Sequence, residues 1–146
     1  MSRFIVRKVA VLGAGVMGAQ IAAHLANARV PVLLFDLPAP EGATNGIALR
    51  AIEALKKMTP APLGHPDLAA FIEPANYEAH LARLGECDLV IEAIAERLDW
   101  KHALYEKVAP FVRDDAVFGS NTSGLSIGAL ARGVPDALRP RFCGVH

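Results

Sequence analysis

Apolar residues along this chain come in two rhythms that alternate from one end to the other. Residues 8–12, 32–35, 88–92, 117–120 and 141–145 form short runs rich in β-branched and aromatic side chains, several of them apolar without interruption. A strand that is apolar on both sides of its pleat is covered on both faces, as in parallel sheets packed between helices. Residues 16–28, 45–58, 77–84, 98–109 and 126–131 carry the patterns of helices between those strands. Repeated βαβ units predict an α/β fold, a Rossmann-type doubly wound, mostly parallel sheet with helices on both faces. The stretch "MTPAPLGHPDLAAFIEPAN" (58–76) breaks the rhythm, because Pro60, Pro62, Pro66 and Pro74 are excluded from a helix interior. It reads as a loop carrying at most one short strand, around residues 71–72.

The first strand and helix, "RKVAVLGAGVMGAQIAAHLANA" (7–28), admit two readings. Basic Arg3, Arg7 and Lys8, an apolar centre and the small-residue Ala26-Asn27-Ala28 resemble a secretory signal. A signal needs an unbroken apolar segment, however, and Gly13, Gly15 and Gly18 interrupt this one at the spacing G-x-G-x-x-G. In a strand-turn-helix the first of these glycines permits the tight turn and the second lets a pyrophosphate approach the backbone. The third lets helix and strand pack closely. The N–H groups at the start of the helix, Val16 and Met17 among them, then hold phosphate without any Lys or Arg.

The second strand, "VPVLLFD", ends at Asp36, eighteen residues beyond Gly18. An acidic residue about 20 positions on accepts hydrogen bonds from the adenosine ribose hydroxyls. A 2′-phosphate in its place would meet repulsion of about 4 kcal/mol per charge pair at roughly 4 Å in an effective dielectric of 20. No Arg or Lys in "DLPAP" relieves it. NAD is therefore favoured over NADP, with FAD sharing the same glycine fingerprint.

Composition narrows the remaining classes. The 146 residues are 53% hydrophobic with mean hydropathy +0.31, sufficient for a filled single-domain core. Fifteen Lys and Arg balance fifteen Asp and Glu, so no net charge draws the chain to nucleic acid or anionic lipid. Apolar runs fall far short of the roughly 20 residues that span a bilayer, and a soluble, cytoplasmic protein without membrane contact is expected. Cys87 and Cys143 form no CxxC and no metal cluster, and both are expected to be buried small hydrophobes.

Three further stretches carry chemistry: "CDLVIEAIAERLDWKHALYEKVAP" (87–110), "FGSNTSGLSIGALA" (118–131) and "RFCGVH" (141–146). Together with "VAVLGAGVMGAQIA" they resemble, in order and spacing, the NAD-binding domain of the L-3-hydroxyacyl-CoA dehydrogenases of fatty acid β-oxidation. The resemblance runs nearly end to end. The loop after Asp36 resembles a long bacterial branch that carries a hydratase-like module.

The resemblance implies that Glu96 and Lys101 line the nicotinamide ribose, that Asn121 lies by the nicotinamide and that Ser123 hydrogen-bonds the substrate's 3-oxygen. It implies that His146 is the catalytic base, a neutral imidazole suited to accept the C3 hydroxyl proton near pH 7. The remaining histidines, His24, His65, His80 and His102, read as structural or solvated. Lys56 and Lys57 fall near the family's basic CoA contacts, but a solvated helix face explains them equally well. The family's orienting glutamate and its helical second domain, which forms a homo-oligomer and covers the acyl chain, lie beyond residue 146. On this reading residues 1–146 are a truncated Rossmann domain that binds NAD by itself but turns over 3-hydroxyacyl-CoA or 3-ketoacyl-CoA only as part of a longer enzyme. The alternatives are a domain of another NAD-linked hydroxyacid or sugar-acid dehydrogenase, and a non-catalytic NAD-binding module.

Overall fold

A computed structural model describes residues 3–146 of the chain. Among them six parallel strands form one sheet in the order β3-β2-β1-β4-β5-β6, which is the doubly wound Rossmann arrangement. The strands are β1 (Val9–Leu12), β2 (Val32–Asp36), β3 (Ile72–Asn76), β4 (Leu89–Glu92), β5 (Val117–Ser120) and β6 (Phe142–Gly144). The helices are α1 (Val16–Asn27), α2 (Gly46–Leu55), α3 (Leu98–Val108) and α4 (Ile127–Ala131).

Alternation along the buried strands divides the core between the two faces of the sheet. Val9, Val11, Val32, Leu34 and Ile91 pack with the alanines of α1 (Ala19, Ala22, Ala23 and Ala26) and with Ile52 and Leu55 of α2. Ala10, Leu12, Leu33, Phe35 and Val90 face the other way, with Phe118, onto Leu104, Tyr105 and Val108 of α3 and Leu130 of α4. Continuous apolar runs and helices on both faces are thus one fact: in the central strands β1, β2, β4 and β5 a residue is covered whichever way it points.

The 58–76 stretch holds more structure than the loop expected from its prolines. Pro66 begins a 3-10 turn over Pro66–Phe71, where a missing N–H costs nothing, and His65 caps it by accepting from the Asp67 N–H. The short strand is five residues long, Ile72–Asn76, and pairs with β2 from Val32↔Ile72 to Asp36↔Asn76. It tolerates Pro74 because it is the edge strand, with one side free of ladder bonds.

The helix expected at 77–84 does not form. Asn76 Oδ1 accepts from the N–H groups of Glu78 and Ala79, and His80 Nδ1 accepts from the Asn76 N–H, closing a tight turn ahead of a 3-10 segment, Leu81–Glu86. A side-chain acceptor at the strand end has outcompeted the helical ladder. Cys87 is buried as expected, but Cys143, on the opposite edge strand β6, is exposed.

Candidate functional site

The strand order reverses between β1 and β4, and the carboxyl ends of these strands border a crevice, the place where open α/β sheets hold ligands. Two contiguous cavities occupy it, of about 510 and 440 Å3, sharing Gly15 and Ala93–Ala95 as common wall. Asp36, Leu37, Tyr77 and Trp100 lie on the first; Val16, Met17, Glu96, Asn121, Ser123 and His146 lie on the second.

The glycine turn between them is built by close approach. Gly13 has φ +110°, and a Cβ there would lie 2.7 Å from the Ala93 carbonyl oxygen. A Cβ on Gly18 would lie 1.7 Å from the carbonyl oxygen of Gly13, so α1 packs against the turn with no room for a methyl group. At Gly15 the situation is reversed: nothing lies within 4 Å of an added Cβ. This open space faces the uncapped N-terminus of α1, where no side chain bonds the first turn and no acidic residue occupies it. Free backbone N–H groups, positive dipole end and empty approach together suit a pyrophosphate.

Asp36 sits at the carboxyl end of β2. One carboxylate oxygen accepts from the Ala14 N–H at 2.7 Å, tying β2 to the glycine turn, and the other from the Leu37 N–H at 2.7 Å. Each oxygen has a second lone pair, so the carboxylate is oriented and still able to accept hydroxyl donors. The opposite wall comes from α3, whose Trp100, Ala103, Leu104 and Lys107 share a face by their i, i+3, i+4 and i+7 spacing. Lys107 Nζ pairs with Glu78 at 2.9 Å across the turn after β3.

Under the second cavity lies a buried polar cluster centred on Glu92, the last residue of β4. Glu92 Oε1 accepts from the hydroxyls of Tyr105 and Ser120, the latter at 2.7 Å, and Oε2 from the Ile94 N–H at 2.9 Å and the ammonium of Lys101. All four bonds are to a side chain with no exposure, and Lys101 is 1% exposed. Burial, followed by the hydrogen bond to Glu92, raises the Tyr105 phenol well above its ordinary range and keeps it protonated as a donor.

Lys101 therefore lies below the cavity, not on its surface, because a cation removed from water settles on the buried carboxylate beside it. It reaches the site through Glu96, whose Oε1 is 3.4 Å from Nζ. Glu96 Oε2 accepts from the Thr122 hydroxyl at 2.8 Å and the Gly124 N–H at 2.9 Å. Burial acts to raise this carboxyl, but the bonds from Gly124 and Thr122 and the Lys101 charge outweigh it and lower it.

Asn121 and Ser123 follow β5, and Asn121 Nδ2 donates to the Val145 carbonyl at 2.9 Å. That bond and the ladder from the Val145 N–H to the Ser120 carbonyl hold the segment before His146 against the end of β5, which brings the ring to the cavity. His102 bonds the Ala129 carbonyl with a ring nitrogen at 3.0 Å, His65 and His80 accept from backbone N–H groups, and His24 is exposed. Lys56 and Lys57 are exposed past the C-terminal end of α2, which runs back from the crevice, and Lys56 pairs with Glu53. Among the described residues no group of His, Cys, Asp and Glu could hold a metal ion, and no helix is long and apolar enough to cross a membrane.

Sequence reasoning had missed Leu37, Tyr77, Trp100 and Lys107. Only the spacing on α3 could have pointed to two of them.

The model of the 3-hydroxyacyl-CoA dehydrogenase NAD-binding domain matches residues 8–146. This chain belongs to that family. A probable 3-hydroxyacyl-CoA dehydrogenase of Deinococcus radiodurans is 44% identical to this NAD-binding domain over 142 residues, covering 97% of this chain and 41% of the relative. A putative fatty acid oxidation complex trifunctional enzyme of Rickettsia felis is 43% identical, covering 97% of this chain and 20% of the relative. The chain thus spans between a fifth and about two fifths of the length of these curated relatives. Among solved structures, 3-hydroxybutyryl-CoA dehydrogenase of Escherichia coli superposes with a TM-score of 0.77 at 31% identity, covering 97% of this chain and 29% of that one. The cofactor of the domain is NAD, as the glycine turn and Asp36 imply.

Proposed function

We propose that this domain holds NAD along the crevice for the oxidation of a 3-hydroxyacyl-CoA to the 3-ketoacyl-CoA in a longer enzyme of fatty acid oxidation. The observation that carries the reading is the continuity of the two cavities: Asp36 at one end, the glycine turn at the middle, and Asn121, Ser123 and His146 at the other. In this reading Gly13, Gly15, Gly18 and the first turn of α1, with Val16 and Met17, receive the pyrophosphate, and Asp36 accepts the ribose hydroxyls. Glu96, held by Lys101, Thr122 and Gly124, faces the nicotinamide ribose together with Asn121. NAD, when bound, supplies the nicotinamide that takes up hydride from C3.

Ser123, exposed at the cavity, donates to the substrate's 3-oxygen, and His146 accepts the C3 hydroxyl proton as hydride departs. Asn121 has a positioning part as well, since its amide holds the chain that carries His146. The relatives' greater length supports further modules in the whole protein, and we assign its homo-oligomerisation and acyl-chain contacts to those. We assign its work to the cytoplasm; among the described residues no helix is long and apolar enough to cross a membrane.

The test is acetoacetyl-CoA reduction with NADH by the longer enzyme containing this domain. His146→Ala should remove at least the 100- to 10,000-fold that a general acid-base contributes, leaving NADH affinity unchanged. An enzyme indifferent to His146 would refute the reading. Activity on short free hydroxyacids and not on acyl-CoA would favour a hydroxyacid dehydrogenase instead.

A further inference from the structure

The wall of the larger cavity contains a polar side-chain atom that no group among the described residues answers. Tyr77 follows directly on β3, stacks on Phe35 with ring centroids 5.8 Å apart, and is 5% exposed. It lines the cavity together with Asp36, Leu37 and Trp100. Among the described residues its hydroxyl is the one buried side-chain nitrogen or oxygen without a hydrogen-bond partner. A phenylalanine would make the same stack without this liability, since buried polar groups are destabilising unless they are paired.

The chemistry of the hydroxyl is settled by its surroundings. Burial, with the carboxylates of Asp36 and then Glu92 adding to it, raises the phenol far above its ordinary range. The phenol therefore stays protonated and able to donate. Ile94, Ala95, Ala103 and Leu104 make the adjoining wall apolar, so no neighbour on it competes for that donor. The cavity also contains the Asp36 carboxylate, whose free lone pairs suit ribose hydroxyls.

We propose that the Tyr77 hydroxyl donates a hydrogen bond to a ring nitrogen of the adenine of bound NAD, making Tyr77 a specificity-determining residue for the adenosine half of the cofactor. The inference rests on the reading of the crevice as the dinucleotide site. The hydroxyl is buried while Tyr77 lines the cavity, so the bond forms with a shift of the ring on binding. The unpaired donor is thereby satisfied only in the complex, and its cost in the free protein becomes selectivity for a ligand with an acceptor at that position.

The experiment compares the wild-type chain with Tyr77→Phe, which keeps the stack and deletes only the hydroxyl. Dissociation constants are measured for NADH by fluorescence and for ADP-ribose, which retains the adenosine half, by competition; thermal unfolding is followed without nucleotide. The expected result is about fivefold weaker binding of both nucleotides, the scale of one neutral hydrogen bond, with a melting temperature equal to or above wild type. Unchanged affinity for both in a folded Tyr77→Phe protein overturns the proposal and leaves the hydroxyl a structural remnant. Loss of NADH affinity with unchanged ADP-ribose affinity overturns it as well, since the contact would then lie on the nicotinamide half. A wild-type chain that binds neither nucleotide overturns the crevice reading itself.

Discussion

Two glycines of one motif, three residues apart, should fail in opposite ways when they are enlarged. A Cβ on Gly18 would sit 1.7 Å from the Gly13 carbonyl oxygen, and the obstructing atom is backbone in a turn already held at φ +110°. Gly18→Ala must therefore push α1 off β1 by more than about 1 Å. That dislodges the alanine face of α1 from Val9 and Val11. Overpacking of this kind costs about 1–3 kcal/mol, and an unyielding backbone contact places it at the upper end. A loss of about 3 kcal/mol lowers the melting temperature of a domain this size by roughly 10 °C.

Gly15 is the N-cap of α1, with φ −75° and ψ −168°, an extended conformation that valine adopts without strain, and its Cβ position is open. Gly15→Val should therefore leave stability within about 1 kcal/mol of wild type, the difference among N-cap residues. Its branched side chain would fill the space left for the pyrophosphate, and NADH affinity should fall at least a hundredfold. Chemical denaturation followed by circular dichroism, paired with NADH fluorescence titration, reads both effects. Undiminished binding by a folded Gly15→Val protein, or a Gly18→Ala protein as stable as wild type, would refute the reasoning.

Asp36→Ala should weaken NADH binding, narrow the preference over NADPH and loosen the glycine turn through loss of the Ala14 N–H bond; equal wild-type affinities for NADH and NADPH would remove this account of Asp36. Lys101→Met strands the Glu92 carboxylate in the core and should cost about 3–5 kcal/mol, whereas Glu92→Gln with Lys101→Met should cost less than the sum of the single changes. Additive losses in urea titrations would mean that the two side chains are not coupled. Glu86 is held down at about 2 by hydrogen bonds from Arg83 and Lys8, so the unfolded chain binds the extra proton. Its contribution is present above the ordinary glutamate range and is lost as pH falls through about 2; because these groups are partly exposed it amounts to no more than about 1 kcal/mol. Glu86→Gln should flatten the acid limb of the stability profile, and an identical acid limb in the variant would show that the pair contributes nothing.

Local pattern determined most of the architecture. Uninterrupted apolar runs require a strand covered on both faces, and the spacing of Gly13, Gly15, Gly18 and Asp36 follows from covalent geometry between one strand end and the next. Strand positions, to within one residue at each end for all but β3, helix alternation and the glycine turn were accordingly legible. The 77–84 segment was not, because Asn76 and His80 turn the chain by side-chain bonds that periodicity does not register. β3 was half seen, since Pro74 argues against a strand until an edge position is known.

What surrounds each candidate residue was decided by the tertiary structure. Lys101 and Glu96 look alike as helix-start charges, yet folding buries one on Glu92 and leaves the other at the cavity. Tyr77 and Trp100, 23 positions apart in the chain, share a wall only because the sheet reverses its order between β1 and β4. Burial and pairing depend on contacts between distant segments, and the free energy of a charge or hydroxyl depends on those contacts far more than on its neighbours in sequence.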